Sequence, residues 1–190
     1  MRITSTIKAI RERCPSFQNR VFGASEFGKI QTESLKPEHL PTAYVITTDE
    51  TPSEEQRTEN SYYQEVTATV SIFVILDNRV DPRGQSSFDK AEDIKEELFK
   101  ALLSWSPLND RQSIYTFSSY GIFKFSPAIL TIQVDFLCSY AINESDTRQP
   151  IQIEEDSGQF KDMLIDVDMI GDDNKPDGQI DAKFKVKDLW

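Results

Sequence analysis

Val66-Thr67-Ala68-Thr69-Val70-Ser71-Ile72-Phe73-Val74-Ile75-Leu76 decides the fold. Val66, Ala68, Val70, Ile72, Val74 and Leu76 hold one parity; Thr67, Thr69 and Ser71 hold the other, until Phe73 and Ile75 join it. A period of two sustained this long is a strand with one face on a core. Its second face turns apolar toward Leu76, so that end is expected to be covered on both sides. Downstream, Ala128, Leu130, Ile132, Val134, Phe136, Cys138, Tyr140 and Ile142 share one parity against Thr131, Gln133, Asp135 and Ser139. This is a second long strand with one buried and one mostly polar face, expected to run antiparallel to a neighbour. Between the two, a turn-rich link from Asp77 to Ser87 precedes Phe88, Ala91, Ile94, Leu98, Ala101, Leu102 and Trp105, an apolar stripe at helical spacing. Asp89, Glu92 and Asp93 load the start of that helix with negative charge. Ser86 with Asp89 has the spacing of a capping box, and Pro107 ends the helix. Ile114 to Phe117 and Ile122 to Phe125 are two short apolar runs, read as a hairpin broken by Ser118, Ser119 and Gly121.

Upstream, Ile3, Ile7, Ala9, Ile10 and Cys14 recur at near-helical spacing among charged residues, and Pro15 stops this helix. Arg11 and Arg13 complement the dipole at its end. A short strand is expected within Phe17 to Gly23, a helical turn at Ser25 to Ile30, and a strand at Ala43 to Thr48 after Pro41. Asp49 to Ser61 is polar and reads as an exposed loop. The fold class is α+β: a mainly antiparallel sheet of about 4–5 strands carrying an N-terminal helix and one long amphipathic helix. Composition shifts after Ile142, giving an α+β domain over 1–142, an acidic linker over 143–159 and an extension over 160–190. In the extension, Phe160 to Ile170 and Ala182 to Trp190 are expected to pair as a β-ribbon that needs other surfaces for stability.

The formal net charge is −11, of which residues 143–190 contribute −7 from 13 acids and six bases. Such a chain does not bind DNA by neutralising phosphates over a broad face. No apolar run is long enough for a transmembrane helix, and the amphipathic N-terminus does not read as a leader. Two cysteines in this context read as buried free thiols in a reducing compartment.

Catalytic equipment is sparse. His39, the one histidine, lies between Pro37 and Pro41 with no nucleophile or carboxylate placed beside it by sequence, so a surface position is expected. Asp172 to Asp181 has the look of a calcium loop. With Gly178 at position 6, however, Lys175 falls where a ligand belongs and Phe184 replaces the final glutamate. A turn through Pro176-Asp177-Gly178 fits better. Glu92 with Glu96 and Asp93 with Glu97 read as a solvated outer helix face or a contact with a basic partner. No zinc cluster or phosphate loop is legible, so no metal, cofactor or catalytic residue is assigned and the chain is read as a non-enzyme.

Several runs carry a resemblance. Asp77-Asn78, then Asp81, Arg83-Gly84-Gln85 and Asp89, resembles the strand-to-helix junction of the tail terminator proteins of Mu-like contractile-tailed phages. Ala101-Leu102-Leu103-Ser104-Trp105-Ser106-Pro107, Gln56-Arg57 and Pro41-Thr42-Ala43-Tyr44-Val45 are similar to segments of that family, in the same order. Ile165-Asp166-Val167-Asp168-Met169-Ile170 followed by Pro176-Asp177-Gly178-Gln179-Ile180 resembles its C-terminal extension. One departure lies in the hairpin, where Tyr120-Gly121 is kept but Lys124-Phe125-Ser126-Pro127 stands in place of the family's aromatic.

The resemblance implies a virion protein of the tail-neck junction, assembled in the bacterial cytoplasm. It implies a homo-hexameric ring on the head-proximal end of the tail, stopping tube and sheath growth and meeting neck and head-completion proteins, with DNA passing the lumen. A ring subunit needs two different sides that meet head to tail and close. The polar segments flanking the longest strand are the expected subunit or tube contacts, with Arg57, Asp77, Asp81, Arg83 and Gln85 as candidates. The competing class is a soluble, non-enzymatic α+β ligand-binding module with a cation-binding acidic tail.

Overall fold

The structure, a computed structural model, describes residues 2–25, 36–54, 56–58, 61–79, 85–108, 112–148, 150–152, 162–167 and 182–187. The chain divides into two compact units, Met1–Ile142 and Asn143–Trp190.

In the first unit, α1 spans Thr4–Arg13 and ends at Cys14, whose N–H donates to the Ile10 carbonyl at 2.9 Å. Pro15 then opens a 3-10 turn, Pro15–Phe17. Gln18 and Asn19 adopt left-handed backbone (φ 48° and 67°) and turn the chain into β1, Val21–Phe22. Arg11 holds that turn against the helix through its Nε, which donates to the Val21 carbonyl at 3.1 Å. Residues 26–30 of the expected helical turn lie outside the described residues.

The remaining elements are β2 (Thr42–Pro52), β3 (Gln56–Thr58), β4 (Ser61–Asp77), α2 (Gln85–Leu102), β5 (Tyr115–Phe125) and β6 (Ile129–Asn143). The strands form one sheet in the order β1-β2-β4-β6-β5, with β3 pairing β4 off that path. The β2–β4, β3–β4 and β5–β6 pairs are antiparallel. Thr67 meets the Ser139 hydroxyl at 3.0 Å and Ser71 meets Gln133 at 3.5 Å, so β4 and β6 also run in opposite directions. The β1–β2 pair is parallel, which makes the sheet mixed. The long connection between those two strands supplies the crossover that parallel pairing needs.

The alternation of β4 is realised residue by residue. Val70, Ile72, Val74 and Leu76 are buried on the face that carries both helices, with Ile10, Ile94, Leu98, Ile132 and Phe136 in the same core; Val66 and Ala68, earlier on the same parity, are also buried. Phe73 and Ile75 are buried on the opposite face with Tyr44, under Phe22, Leu40 and Ile129. The expected second cover at the Leu76 end is therefore present. Farther along that face the residues turn polar: Thr48 bonds Ser71 at 2.9 Å, and Ser119 donates to Asp135 at 2.7 Å.

Three local expectations are corrected. The polar stretch from Asp49 is not a loop: β2 continues to Pro52, and β3 follows. This part of β2 is exposed, so backbone pairing to Val66–Thr69 holds it without any apolar alternation. A bulge at Thr48 lets Thr47 pair with Val70 and Asp49 with Thr69. Ser86 lies inside the first turn of α2 rather than at its cap, and Ser87 takes the inward position. Phe88 is pushed to the rim, stacking on Phe125 at 6.3 Å. Finally, β5 is one strand through Gly121; bulges at Phe117/Ser119 and Ile122/Lys124 absorb the irregularity, and the turn falls at Ser126-Pro127-Ala128.

Tyr115 ties the strand start to both helices. Its hydroxyl shares a buried 2.8 Å hydrogen bond with Thr6 of α1. Its backbone N–H donates to Trp105 and its carbonyl accepts from Ser104, just past α2. Burial pushes its phenol above the usual range.

Cys14 and Cys138 are both buried and form no disulfide. Burial, with Glu97 nearby, pushes the Cys14 thiol up to about 12, far from the thiolate that reacts with disulfides. The native protein is therefore expected to leave Cys14 unlabelled by an aromatic disulfide at neutral pH, and to release it on denaturation. Rapid native labelling of that residue would show that the α1 end opens locally.

In the second unit, β7 (Asp162–Val167) and β8 (Ala182–Lys187) form the antiparallel ribbon. Its register sets Asp162 opposite Lys187, Leu164 opposite Lys185 and Asp166 opposite Lys183. The calcium-like run, residues 172–181, lies outside the described residues. No helix among the described residues is long and apolar enough to cross a membrane.

Candidate assembly surface

The junction after β4 is built around Asn78, which is buried between three segments. Its amide donates to the Ser126 carbonyl at 2.9 Å, and its side-chain oxygen accepts from the Ser87 hydroxyl at 2.7 Å. Its backbone N–H donates to the Ala128 carbonyl at 3.0 Å. One residue thus pins the end of β4, the β5–β6 turn and the first turn of α2. A short amide suits this position because it both donates and accepts.

Of the candidate contact residues, Asp77 ends β4 and pairs with Arg79 at 2.8 Å. The Arg79 hydrogen bond holds its carboxyl below the usual value against the opposing effect of burial. Gln85 is exposed at the start of α2. Asp81 and Arg83 lie outside the described residues. Arg57 sits on β3 with its backbone paired to Tyr62. Tyr62 and Asp77 lie near opposite ends of β4, roughly 50 Å apart along the strand at about 3.3 Å per residue. Arg57 and Asp77 therefore flank the same strand in sequence but sit toward its opposite ends.

The helical acids divide. Glu92 pairs with Lys95, and Glu96 lies 3.6 Å from Lys100, as a solvated face does. Glu97 instead turns inward, accepting from the Ser16 hydroxyl at 2.7 Å and the Ser16 N–H at 3.3 Å; its outer-face assignment is corrected. His39 is exposed on the 3-10 turn Pro37–His39, with its Nε2 3.9 Å from the Glu38 carboxylate. Among the described residues, no group of three His, Cys, Asp or Glu is placed to hold a metal ion.

A further surface has no counterpart in the sequence reading. β5 is an edge strand, and beside α2 it exposes Phe117, Ile122 and Phe125 together with Phe88 from the helix. Ile122 is 54% and Phe125 58% exposed. The available signal was density: β5 carries apolar residues on both parities, more than an edge strand needs for its own core.

The family model described as phage tail terminator protein matches residues 1–148, and the chain belongs to that family. It is a structural family of phage tails, which makes the chain a virion component that works with other tail proteins. A comparison with curated proteins found no match. The β7–β8 ribbon lies beyond the matched region.

Proposed function

We propose that the chain forms a homo-hexameric ring on the head-proximal end of a contractile tail, stops growth of tube and sheath, and presents a surface to neck and head-completion proteins. The family match over residues 1–148 carries this reading. The architecture supports it: the long β4 gives the body two poles, and a cap between tail and neck needs two different ends. In this reading Arg57 marks one pole and Asp77 and Gln85 the other, with Asp81 and Arg83 kept as candidate contacts from the sequence. Residues 1–142 form the ring body, 143–159 act as a linker, and 160–190 reach a neighbouring subunit. The net negative charge suits a lumen through which DNA passes without adhering.

Negative-stain microscopy with light scattering on concentrated protein, and on tails assembled with and without it, tests the reading. Six-fold particles and tails of uniform length are expected. Arg57→Glu with Arg83→Glu is expected to abolish length control while leaving the melting temperature within about 1 °C, as a change that acts only on a contact with another protein does. Unchanged length control in that double variant removes those residues from the contact. Wild-type protein that leaves tail length unregulated removes the capping function.

A further inference from the structure

The β7–β8 ribbon has two open edges and two unlike strands. Its register runs from Asp162↔Lys187 to Val167↔Ala182 without a bulge, and neither strand contains proline or glycine. The ribbon is two-stranded, so among the described residues the outer edges of β7 and of β8 pair with no further strand. Two strands alone are marginal in water. The register sorts their positions into an apolar row and a charged row. Met163, Ile165 and Val167 stand opposite Val186, Phe184 and Ala182, while Asp162, Leu164 and Asp166 stand opposite Lys187, Lys185 and Lys183. In the charged row β7 brings only acids and β8 only bases.

A position inside a sheet has a cross-strand neighbour on each side, and the ribbon fills one of them. What suits the other side differs between the two edges. Joining β8 to β8 of another copy, with the apolar row kept on one face, sets lysine against lysine. Joining β7 to β7 sets Asp162 against Asp166. Like charges directly opposite disfavour both pairings, and a one-residue slip that avoids them carries charge into the apolar row. Joining β7 to β8 repeats the aspartate–lysine order of the ribbon itself and continues both rows. A lysine row blunts an edge against most strands; an acidic strand with the same apolar period is the exception. Such a contact uses two different edges, so each ribbon meets one neighbour through β7 and another through β8, the arrangement that closes into a ring. A closed sheet has no edge left to pair.

We infer that the ribbons of neighbouring copies join edge to edge, β7 of one beside β8 of the next, in a continuous antiparallel sheet. This deepens the ring reading, in which the extension reaches a neighbouring subunit, and rests on it for closure. Backbone pairing holds the contact, and the opposite charges of the two strands set its direction.

Two full-length chains, one with Leu164→Cys and one with Lys185→Cys, are purified separately, mixed and oxidised, both free at rising concentration and bound to tails assembled without the protein; tail length is scored in parallel. Position 164 of one copy then lies across from position 185 of the next, at a spacing a disulfide spans. Disulfide-linked dimers are expected from the mixture at about tenfold or more over either chain alone. A further chain carries Asp162→Lys, Asp166→Lys, Lys183→Glu and Lys187→Glu together, which keeps opposite charges across its own ribbon. It is expected to self-associate as the wild type does, yet to form about tenfold less mixed oligomer with differently tagged wild-type chain. No linked dimer from the mixture, free or on tails, overturns the contact, and so does equal linking in either single chain. Free mixing of the charge-swapped and wild-type chains overturns it too. Where tails stay capped in those cases, the functional reading stands without the ribbon contact. Linked dimers on tails that grow unchecked keep the contact and remove the capping function.

Discussion

Phe136→Ala is expected to lower the unfolding free energy by about 3–5 kcal/mol and the melting temperature by roughly 10–15 °C. Phe136 is fully buried on β6. Its ring meets Phe99 of α2 at 6.2 Å, Tyr115 at 6.1 Å and Phe117 at 6.4 Å, all near edge-on. Truncation removes the transfer free energy of the ring and leaves a cavity that a helix and an edge strand border from different sides. Neither is free to close it: the start of β5 is tied to Thr6 and to Ser104 and Trp105. The loss should also loosen α2 on β5, visible as faster amide exchange along Phe117 to Phe125. Ile122→Ala on the same strand is the control, with an expected change below about 0.5 kcal/mol because the side chain is 54% exposed. Equal losses in the two variants would mean that the aromatic cluster does not hold the edge.

Asn78→Ala is expected to cost about 2–3 kcal/mol by urea denaturation, although it creates only a small void. The change removes the bonds to Ser126 and Ser87 together and leaves the Ser126 carbonyl without its amide donor. Ser87→Ala breaks only the second and is expected to cost about 1 kcal/mol. Asn78→Asp keeps an acceptor for Ser87 but sets a carboxylate against the Ser126 carbonyl, so it should recover little. If Asn78→Ala costs no more than Ser87→Ala, the link to the β5–β6 turn contributes nothing and the three-way tie is wrong.

β4, β6 and α2 were legible because burial writes its own period: two for strands on a core, near 3.6 for a helix on one face. Where an element has no buried face, that signal disappears. Thr48 to Pro52 form strand because β4 offers backbone partners, and nothing in their side chains reports it. β5 fails differently: its bulges shift parity twice, so one strand shows as two short apolar runs. The same limits govern the site. Arg57 and Asp77 are legible as flanks of one strand, but a strand this long sends its flanks to opposite poles. The rim at Phe117, Ile122 and Phe125 was missed because being at an edge is a property of strand order, and the order β1-β2-β4-β6-β5 follows from how the chain crosses, not from any local pattern. Asn78 stood out in the resemblance by position alone, and its role appears only when Ser87 and Ser126 arrive beside it.

The bulge in β2 sets a rule for length variation in this hairpin. Ala43 and Val45 face the helices before it, and Glu50 and Pro52, paired with Ala68 and Val66, share that side after it. Thr48 is the extra residue between the two runs. Removing it gives an unbroken ladder with every neighbour still on its own side, at the loss of the bond to Ser71. Removing a residue within Ala43 to Ile46 instead turns part of the strand inside out and drives Tyr44 or its neighbours into the wrong layer. Single-residue deletions between related chains should therefore collect at Thr48, and an alignment gap placed a few residues earlier would misassign which side chains face the helices.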